Sequence, residues 1–171
     1  MRPKPVRVAL LAVAALGACG GDDDDAPPPP SPRGDEGVTR EGCALAEGAV
    51  AEAVGHAVTL DQDETVPGNC IFVAVDQETH AGATVQVADG PASDLDAVVA
   101  RLARLVGDVE PLADDLVDDA NDGFVLQLGA ASQVGAVVGD RLVTVTVIDP
   151  LLEPDAALEL TAGLVEQAFS S

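Results

Sequence analysis

The stretch that decides the fold is VGAVVGDRLVTVTVID, residues 134–149. Two runs rich in β-branched residues, 134–138 and 141–149, have the composition of strands. Between them stands Gly139-Asp140, a dipeptide suited to a two-residue hairpin turn. The sequence therefore predicts an antiparallel strand pair here, and this is the best-determined pair in the chain.

Further strands are predicted on both sides of a central helix. On the N-terminal side they are HAVTL at 56–60, CIFVAVD at 70–76 and ATVQVA at 83–88, separated by turn-rich pieces such as Val66-Pro67-Gly68-Asn69. On the C-terminal side, FVLQLG at 124–129 precedes the hairpin. The chain thus contains two groups of three strands.

Three helices are predicted around these strands. A short one spans 43–54 and ends at Gly55, and the last begins at Pro154-Asp155. The clearest helix lies at 94–106, where Ser93 as N-cap and Asp96 form a capping box and Gly107 supplies the stop. Its apolar residues fall on one face: Leu95, Val98, Val99, Leu102, Leu105 and Val106.

The predicted element order is α-β-β-β-α-β-β-β-α. Hairpin-length connections in the second half favour an antiparallel sheet whose apolar face is covered by helices, which is an α+β fold. By length, residues 37–171 fit a single domain.

The first eighteen residues have the features of an export signal. Arg2, Lys4 and Arg7 precede the run Val8–Leu16, which has no charged or polar side chain. A bilayer-spanning helix needs about 20 apolar residues, so this run is too short to be one. We expect residues 1–18 to be a signal peptide that is removed.

The four residues Leu16-Gly17-Ala18-Cys19 resemble the lipobox of bacterial lipoproteins. The resemblance implies that Cys19 receives a diacylglyceryl thioether and becomes the mature N-terminus. Two or three acyl chains would anchor the protein stably to the extracytoplasmic face of the cell membrane. The alternative is an ordinary secretory signal in which Cys19 is a bystander thiol.

Residues 19–36 have little to bury. They contain Asp22–Asp25 and Pro27–Pro30, a composition typical of disorder or polyproline II. At about 3.1 Å per residue, such a tether could hold a domain some tens of ångströms from the membrane.

The charge of the chain excludes several classes of partner. The 171 residues include 30 acidic and 8 basic side chains, for a formal net charge of −22. Nucleic acid and anionic lipid headgroups would be repelled. With three phenylalanines and no tryptophan or tyrosine, binding by aromatic stacking is also poorly supported.

Cys43 and Cys70 remain as an even pair once Cys19 is acylated, and outside the membrane such thiols can oxidise. A bridge would close the loop from Cys43 through Cys70, which the chain-entropy relation values at roughly 3.5 kcal/mol. A metal site is the alternative, but neither His56 nor His80 has zinc-like spacing to the cysteine pair. The sequence therefore predicts a disulfide, no metal site and no cofactor.

An acidic loop invites comparison with calcium sites. Its oxygen-bearing residues are Asp114, Asp115, Asp118, Asp119, Asn121 and Asp122. Their spacing does not match a Ca²⁺-binding loop, and no glutamate stands at the closing position. A solvated acidic loop over 114–122 is the simpler interpretation, with calcium binding left open.

Catalytic motifs are not found. The sequence has no Gly-x-Ser-x-Gly elbow, no His-Glu-x-x-His and no phosphate-binding glycine loop. His56 and His80 could each act as a base in principle, but isolated histidines are more often structural or solvated. No catalytic residue is assigned, and we expect a protein that is not an enzyme.

One family resemblance covers nearly the whole folded part. Cys43-Ala44-Leu45 opening a helix, Cys70-Ile71-Phe72, a capped helix, a loop, a hairpin and a last helix resemble an uncharacterised domain common in actinobacterial lipoproteins. The resemblance implies a paired Cys43 and Cys70 and a surface location, and it brings no activity. The loop PLADDLVDDANDG at 111–123 departs from the family, which usually carries a Gly-Leu-Gly-Asp-like turn there.

Three functional hypotheses predict different structures. The first is a non-enzymatic, lipid-anchored module that binds a protein or small-molecule partner, as a sensor or accessory subunit, and it requires a filled core. The second is a carrier of apolar or lipid ligands, with a cavity of several hundred cubic ångströms beside the helix at 94–106. An enzyme would instead show polar groups converging with His56 or His80 in a cleft.

Overall fold

Seven strands form one antiparallel sheet in the computed structural model, which describes residues 42–171. The strands are β1 (Val58–Leu60), β2 (Asn69–Ala74), β3 (Thr84–Pro91), β4 (Glu110–Pro111), β5 (Asp122–Leu128), β6 (Ala131–Val138) and β7 (Arg141–Ile148). Three helices accompany them: α1 (Glu47–Val54), α2 (Leu95–Val106) and α3 (Pro154–Phe169). The α+β class and the element order are confirmed, with the two-residue β4 as an addition.

The hairpin of residues 134–149 is confirmed. Val138 pairs with Arg141, so Gly139-Asp140 is the two-residue turn between β6 and β7. Gly139 has φ 63°, a left-handed conformation that glycine adopts without steric cost. The hairpin lies in the middle of the sheet, because β7 also pairs with β3 along eight residues.

The sheet consists of two meanders joined at β3 and β7, in the order β1-β2-β3-β7-β6-β5-β4. After β3 the chain passes through α2 to the far edge at β4 and returns strand by strand to the centre. One end of β7 thus lies near the loop between β2 and β3, although the two are far apart in sequence.

The helices cover both faces of the sheet, whereas the sequence predicted coverage of one apolar face. Helices α1 and α3 pack with the main core, to which β7 contributes Val143, Val145 and Val147. Successive side chains of a strand point to opposite faces, so Leu142 lies on the other face. There it packs with Phe124, Val137 and Leu95 of α2 in a second, smaller core.

Two helix starts differ from those predicted. Helix α1 begins at Glu47 and not at residue 43, because Ala46 is extended (ψ 151°) and Cys43 is held by a disulfide to Cys70. The prediction of a capping box at Ser93 is wrong. Ser93 lies in a 3-10 turn, and the residue that caps α2, Asp94, makes no side-chain capping hydrogen bond.

The disulfide itself is confirmed, with the Cα atoms of Cys43 and Cys70 5.7 Å apart. Within residues 42–171, no helix is both long enough and apolar enough to cross a membrane. The signal peptide over 1–18, lipidation of Cys19 and the tether over 19–36 concern residues outside those that the structure describes, and they stay predictions.

Candidate metal-binding site

Three potential ligand residues meet at one end of the sheet. One ligand atom each from His56, His80 and Asp149 lies within 4.8 Å of the other two. The two imidazole rings are stacked, with centroids 3.9 Å apart and planes inclined by 17°. We call these three residues the His-Asp cluster.

Asp149 occupies its place because β7 ends there. Its N–H donates to the Ala130 carbonyl (3.1 Å), which continues the sheet pairing by one residue. Pro150 follows, and the Asp149 Oδ1 accepts the Leu151 N–H (2.8 Å), so the side chain closes a tight turn. The carboxylate is only 5% exposed, which makes it the one buried ionisable side chain in the range 42–171.

His80 is held by an ordered loop between β2 and β3. Asp76 Oδ1 accepts the N–H groups of Glu78 (3.1 Å) and Thr79 (3.2 Å), and the Asp76 carbonyl accepts the N–H of His80 (2.9 Å). Hydrogen bonds from the Thr79 hydroxyl and N–H lower the pKa of Asp76, and the Glu78 N–H acts in the same direction. The hydrogen bonds to Asp76 therefore fix the turn that carries His80.

His56 follows the end of α1. Gly55 adopts the left-handed conformation (φ 75°) and its N–H donates to the Ala51 carbonyl (3.0 Å), which stops the helix. The chain then enters β1, where the Ala57 carbonyl accepts the Val75 N–H (2.9 Å). This bond ties the residue after His56 to the start of the loop that carries His80.

Within residues 42–171, one nitrogen of His80 lacks a hydrogen-bond partner, and the Asp149 carboxylate lacks a cation partner. The buried Nδ1 of His80 has no hydrogen-bond partner. In the described part of the chain, the single ion pair is Arg141–Asp89 (2.7 Å), at the opposite end of β7 from Asp149. A buried carboxylate without a cation carries a desolvation cost, so this site is electrostatically suited to a positive charge.

A small cavity adjoins the cluster. It is lined by His56 and Asp149 and by apolar side chains that include Val58, Phe72 and Val147. The space open to the centre of a water molecule is about 10 Å³. That volume is about the least that holds one water, so the cavity is far too small for an organic molecule.

The acidic loop is arranged differently. Val117 is buried, and Leu112, Leu116 and Ala120 pack against the main core, so the loop is anchored by its apolar residues. Its aspartates face solvent. Among residues 42–171, the His-Asp cluster is the sole group of three or more His, Cys, Asp or Glu side chains close enough to share an ion.

His56 and His80 were candidates from the sequence, but as zinc ligands they were considered only together with the cysteines. Asp149 was not predicted to have a role. The structure brings the two histidines together and adds Asp149, while both cysteines are committed to the disulfide 27 positions apart. An aspartate directly before a proline at the end of a strand was the available signal. Whether this aspartate lies near the histidines depends on the order of strands in the sheet, which the sequence does not predict.

No protein-family model matches the chain, and no curated protein matches it in sequence. The resemblance to a domain of actinobacterial lipoproteins therefore stays a prediction.

Proposed function

We propose that this protein is a non-enzymatic, lipid-anchored module of the extracytoplasmic membrane face that binds an ion-sized ligand at the His-Asp cluster. The observation that carries the proposal is the convergence of His56, His80 and Asp149 beside a cavity of about 10 Å³. Two histidines, one with an unpartnered buried nitrogen, and a buried carboxylate without a cation partner among the described residues favour a bound ion in a space this small.

The packing of the core argues against the alternative of an apolar carrier. Pockets for small molecules usually measure about 300–1,000 Å³. The cavity at the cluster is far smaller, and the face under α2 is filled by Phe124, Val137 and Leu142. A depression of about 510 Å³ does exist, but it is open to solvent at the other end of the sheet and contains the Asp89–Arg141 ion pair.

An enzyme is favoured less than a binding module. Polar groups do converge with His56 and His80, as an active site would require, but an organic substrate does not fit in about 10 Å³. General acid–base catalysis also requires the reacting atom within hydrogen-bond reach of the base. Binding of an ion satisfies the geometry without a further group.

Two observations support the location outside the cytoplasm. The lipobox-like Leu16-Gly17-Ala18-Cys19 follows an export-type segment. The disulfide Cys43–Cys70 fits an oxidising compartment, since structural disulfides are rare in the cytosol. Both agree with a surface lipoprotein held by acyl chains on Cys19.

Palmitate labelling of cells that express the full chain tests the anchor. We expect the wild type to incorporate radiolabelled palmitate and to sediment with membranes, and Cys19→Ser to do neither. Wild-type protein that stays unlabelled and keeps its initiator methionine would overturn the anchored part of the proposal.

Native mass spectrometry of the full chain, purified from its host without a histidine tag, tests the ligand. We expect an added mass of atomic-ion size on the wild type that is missing from His80→Ala. A co-purified lipid that persists in His80→Ala would instead support the carrier.

A further inference from the structure

We infer that the ligand of the His-Asp cluster is a divalent transition-metal ion, Zn²⁺ in the first instance, bound by His56, His80 and Asp149 with a water in the fourth position. This inference rests on the proposed function, because it names the ion-sized ligand of the same site. The sequence predicted no metal site, because neither His56 nor His80 has zinc-like spacing to the cysteine pair.

The donor set selects this class of ion. Two imidazole nitrogens and one carboxylate oxygen suit zinc, copper, nickel or iron, whereas Mg²⁺ and Ca²⁺ prefer oxygen ligands alone. Three protein ligands with an open fourth position are a known zinc arrangement. Calcium is further disfavoured because the wall of the cavity is mostly apolar. Among the described residues, Asp149 is the one acidic residue that lines it.

The three ligand atoms lie near one another but farther apart than in a coordinated site. Zinc binds imidazole nitrogen and carboxylate oxygen at about 2.0–2.2 Å, so ligand atoms around a tetrahedral ion stand about 3.4 Å apart. In the structure these atoms lie within 4.8 Å of one another. Metal binding therefore requires an approach of at most about 1.4 Å. It also requires one imidazole to rotate out of the stacked pair, because in-plane lone pairs of rings inclined by only 17° do not converge on one ion.

The surroundings hold two of the three ligands in place. Asp149 Oδ1 is oriented by the Leu151 N–H, and His80 by the loop that Asp76 organises. Such outer contacts fix ligand orientation in metal sites. A bound dication supplies the cation partner that the buried Asp149 carboxylate lacks within residues 42–171.

Isothermal titration of the metal-stripped full chain with Zn²⁺ alone tests the inference. We expect one ion per chain in the wild type. Loss of an outer contact costs about 10–100-fold in affinity, so His56→Ala, His80→Ala and Asp149→Asn should each weaken binding by at least about 100-fold. Asp149→Asn keeps an oxygen for the Leu151 N–H, so it removes the charge while preserving the turn.

Asp119→Asn, in the exposed acidic loop, is the matched control and should bind as the wild type does. Co²⁺ in place of Zn²⁺ should give visible absorption bands typical of four-coordination, and these should be lost in His80→Ala. The inference is overturned if Asp119→Asn weakens Zn²⁺ binding while the three site variants bind as the wild type does. The ion would then lie on the acidic surface.

The remaining outcomes separate this inference from the proposed function. A wild-type chain that takes up no Zn²⁺, yet carries from its host another ion that His80→Ala loses, overturns the zinc assignment alone. A chain that takes up no Zn²⁺ and carries no ion from its host overturns both.

Discussion

Gly135 shows how one residue limits the packing of the smaller core. A Cβ built on it would overlap the ring of Phe124, with Cζ and Cδ1 at 2.7 and 2.8 Å. The Phe124 side chain is 1% exposed and cannot turn out into solvent without leaving the core. We expect Gly135→Ala to lower the free energy of unfolding by about 1–3 kcal/mol through overpacking.

Urea denaturation of the purified chain measures this effect. Gly163→Ala is the control, because Gly163 lies on the exposed side of α3 with no atom within 4 Å of a built Cβ. The same substitution there should raise the free energy of unfolding by about 0.5–1 kcal/mol, as it does in helix interiors. Equal effects at the two positions would contradict the packing argument.

The candidate site shows what single residues in a sequence can reveal. His56 and His80 are the chain's two histidines, so composition alone made them candidates. Their stacking and the third ligand, Asp149, follow from three separate turns that meet only in the folded sheet. No local spacing rule connects residues 56, 80 and 149, which is why sequence patterns could not assemble the site.

At the scale of elements, α2 is an amphipathic helix that is only partly docked. Leu95 is 8% exposed and packs with Phe124 and Leu142, whereas Leu105 on the same apolar face is 63% exposed. We expect Leu95→Ala to lower the free energy of unfolding by about 2 kcal/mol. Leu105→Ala should change it by no more than about 0.5 kcal/mol.

The comparison uses one substitution at two positions of one helix, so helix propensity affects both variants equally. Denaturation midpoints in urea give the two values. If Leu105→Ala lowers the free energy of unfolding as much as Leu95→Ala does, the C-terminal turn of α2 is packed in solution. That result would contradict partial docking of the helix.

The elements themselves were predictable where local chemistry determines them. The β6–β7 hairpin follows from Gly139-Asp140, and the start of α3 from Pro154, which suits the first turn of a helix. The start of α2 was not predictable from its capping pattern. Pro91 has ψ 146°, and a 3-10 turn over Ala92–Asp94 precedes the helix, so Ser93 does not occupy the capping position.

At the scale of the molecule, element order fixed the α+β class but not the strand order. The placement of β7 next to β3, and of α2 on the face opposite α1 and α3, depends on contacts between residues far apart in sequence. Those contacts bring the end of β7 to the loop that carries His80. The site is thus a consequence of the topology and not of any one segment.

The disulfide constrains the whole molecule through its unfolded state. Cys43 precedes α1 and Cys70 lies in β2, so the bridge encloses α1, β1 and His56. Closing a loop of this length removes conformational entropy from the unfolded chain worth roughly 3.5 kcal/mol. We expect Cys43→Ala/Cys70→Ala to lower the free energy of unfolding by about that amount, as measured by urea denaturation.

Reductant supplies the control, because it should destabilise the wild type to near the level of the double variant and leave the variant unchanged. The buried Cys70 also packs in the main core, so Ala is the substitution that removes the bridge without adding a buried hydroxyl. A wild type whose denaturation midpoint is the same with and without reductant would show that the bridge contributes no stability. The enclosed segment would then be held by its sheet pairing and its packing against α3 alone.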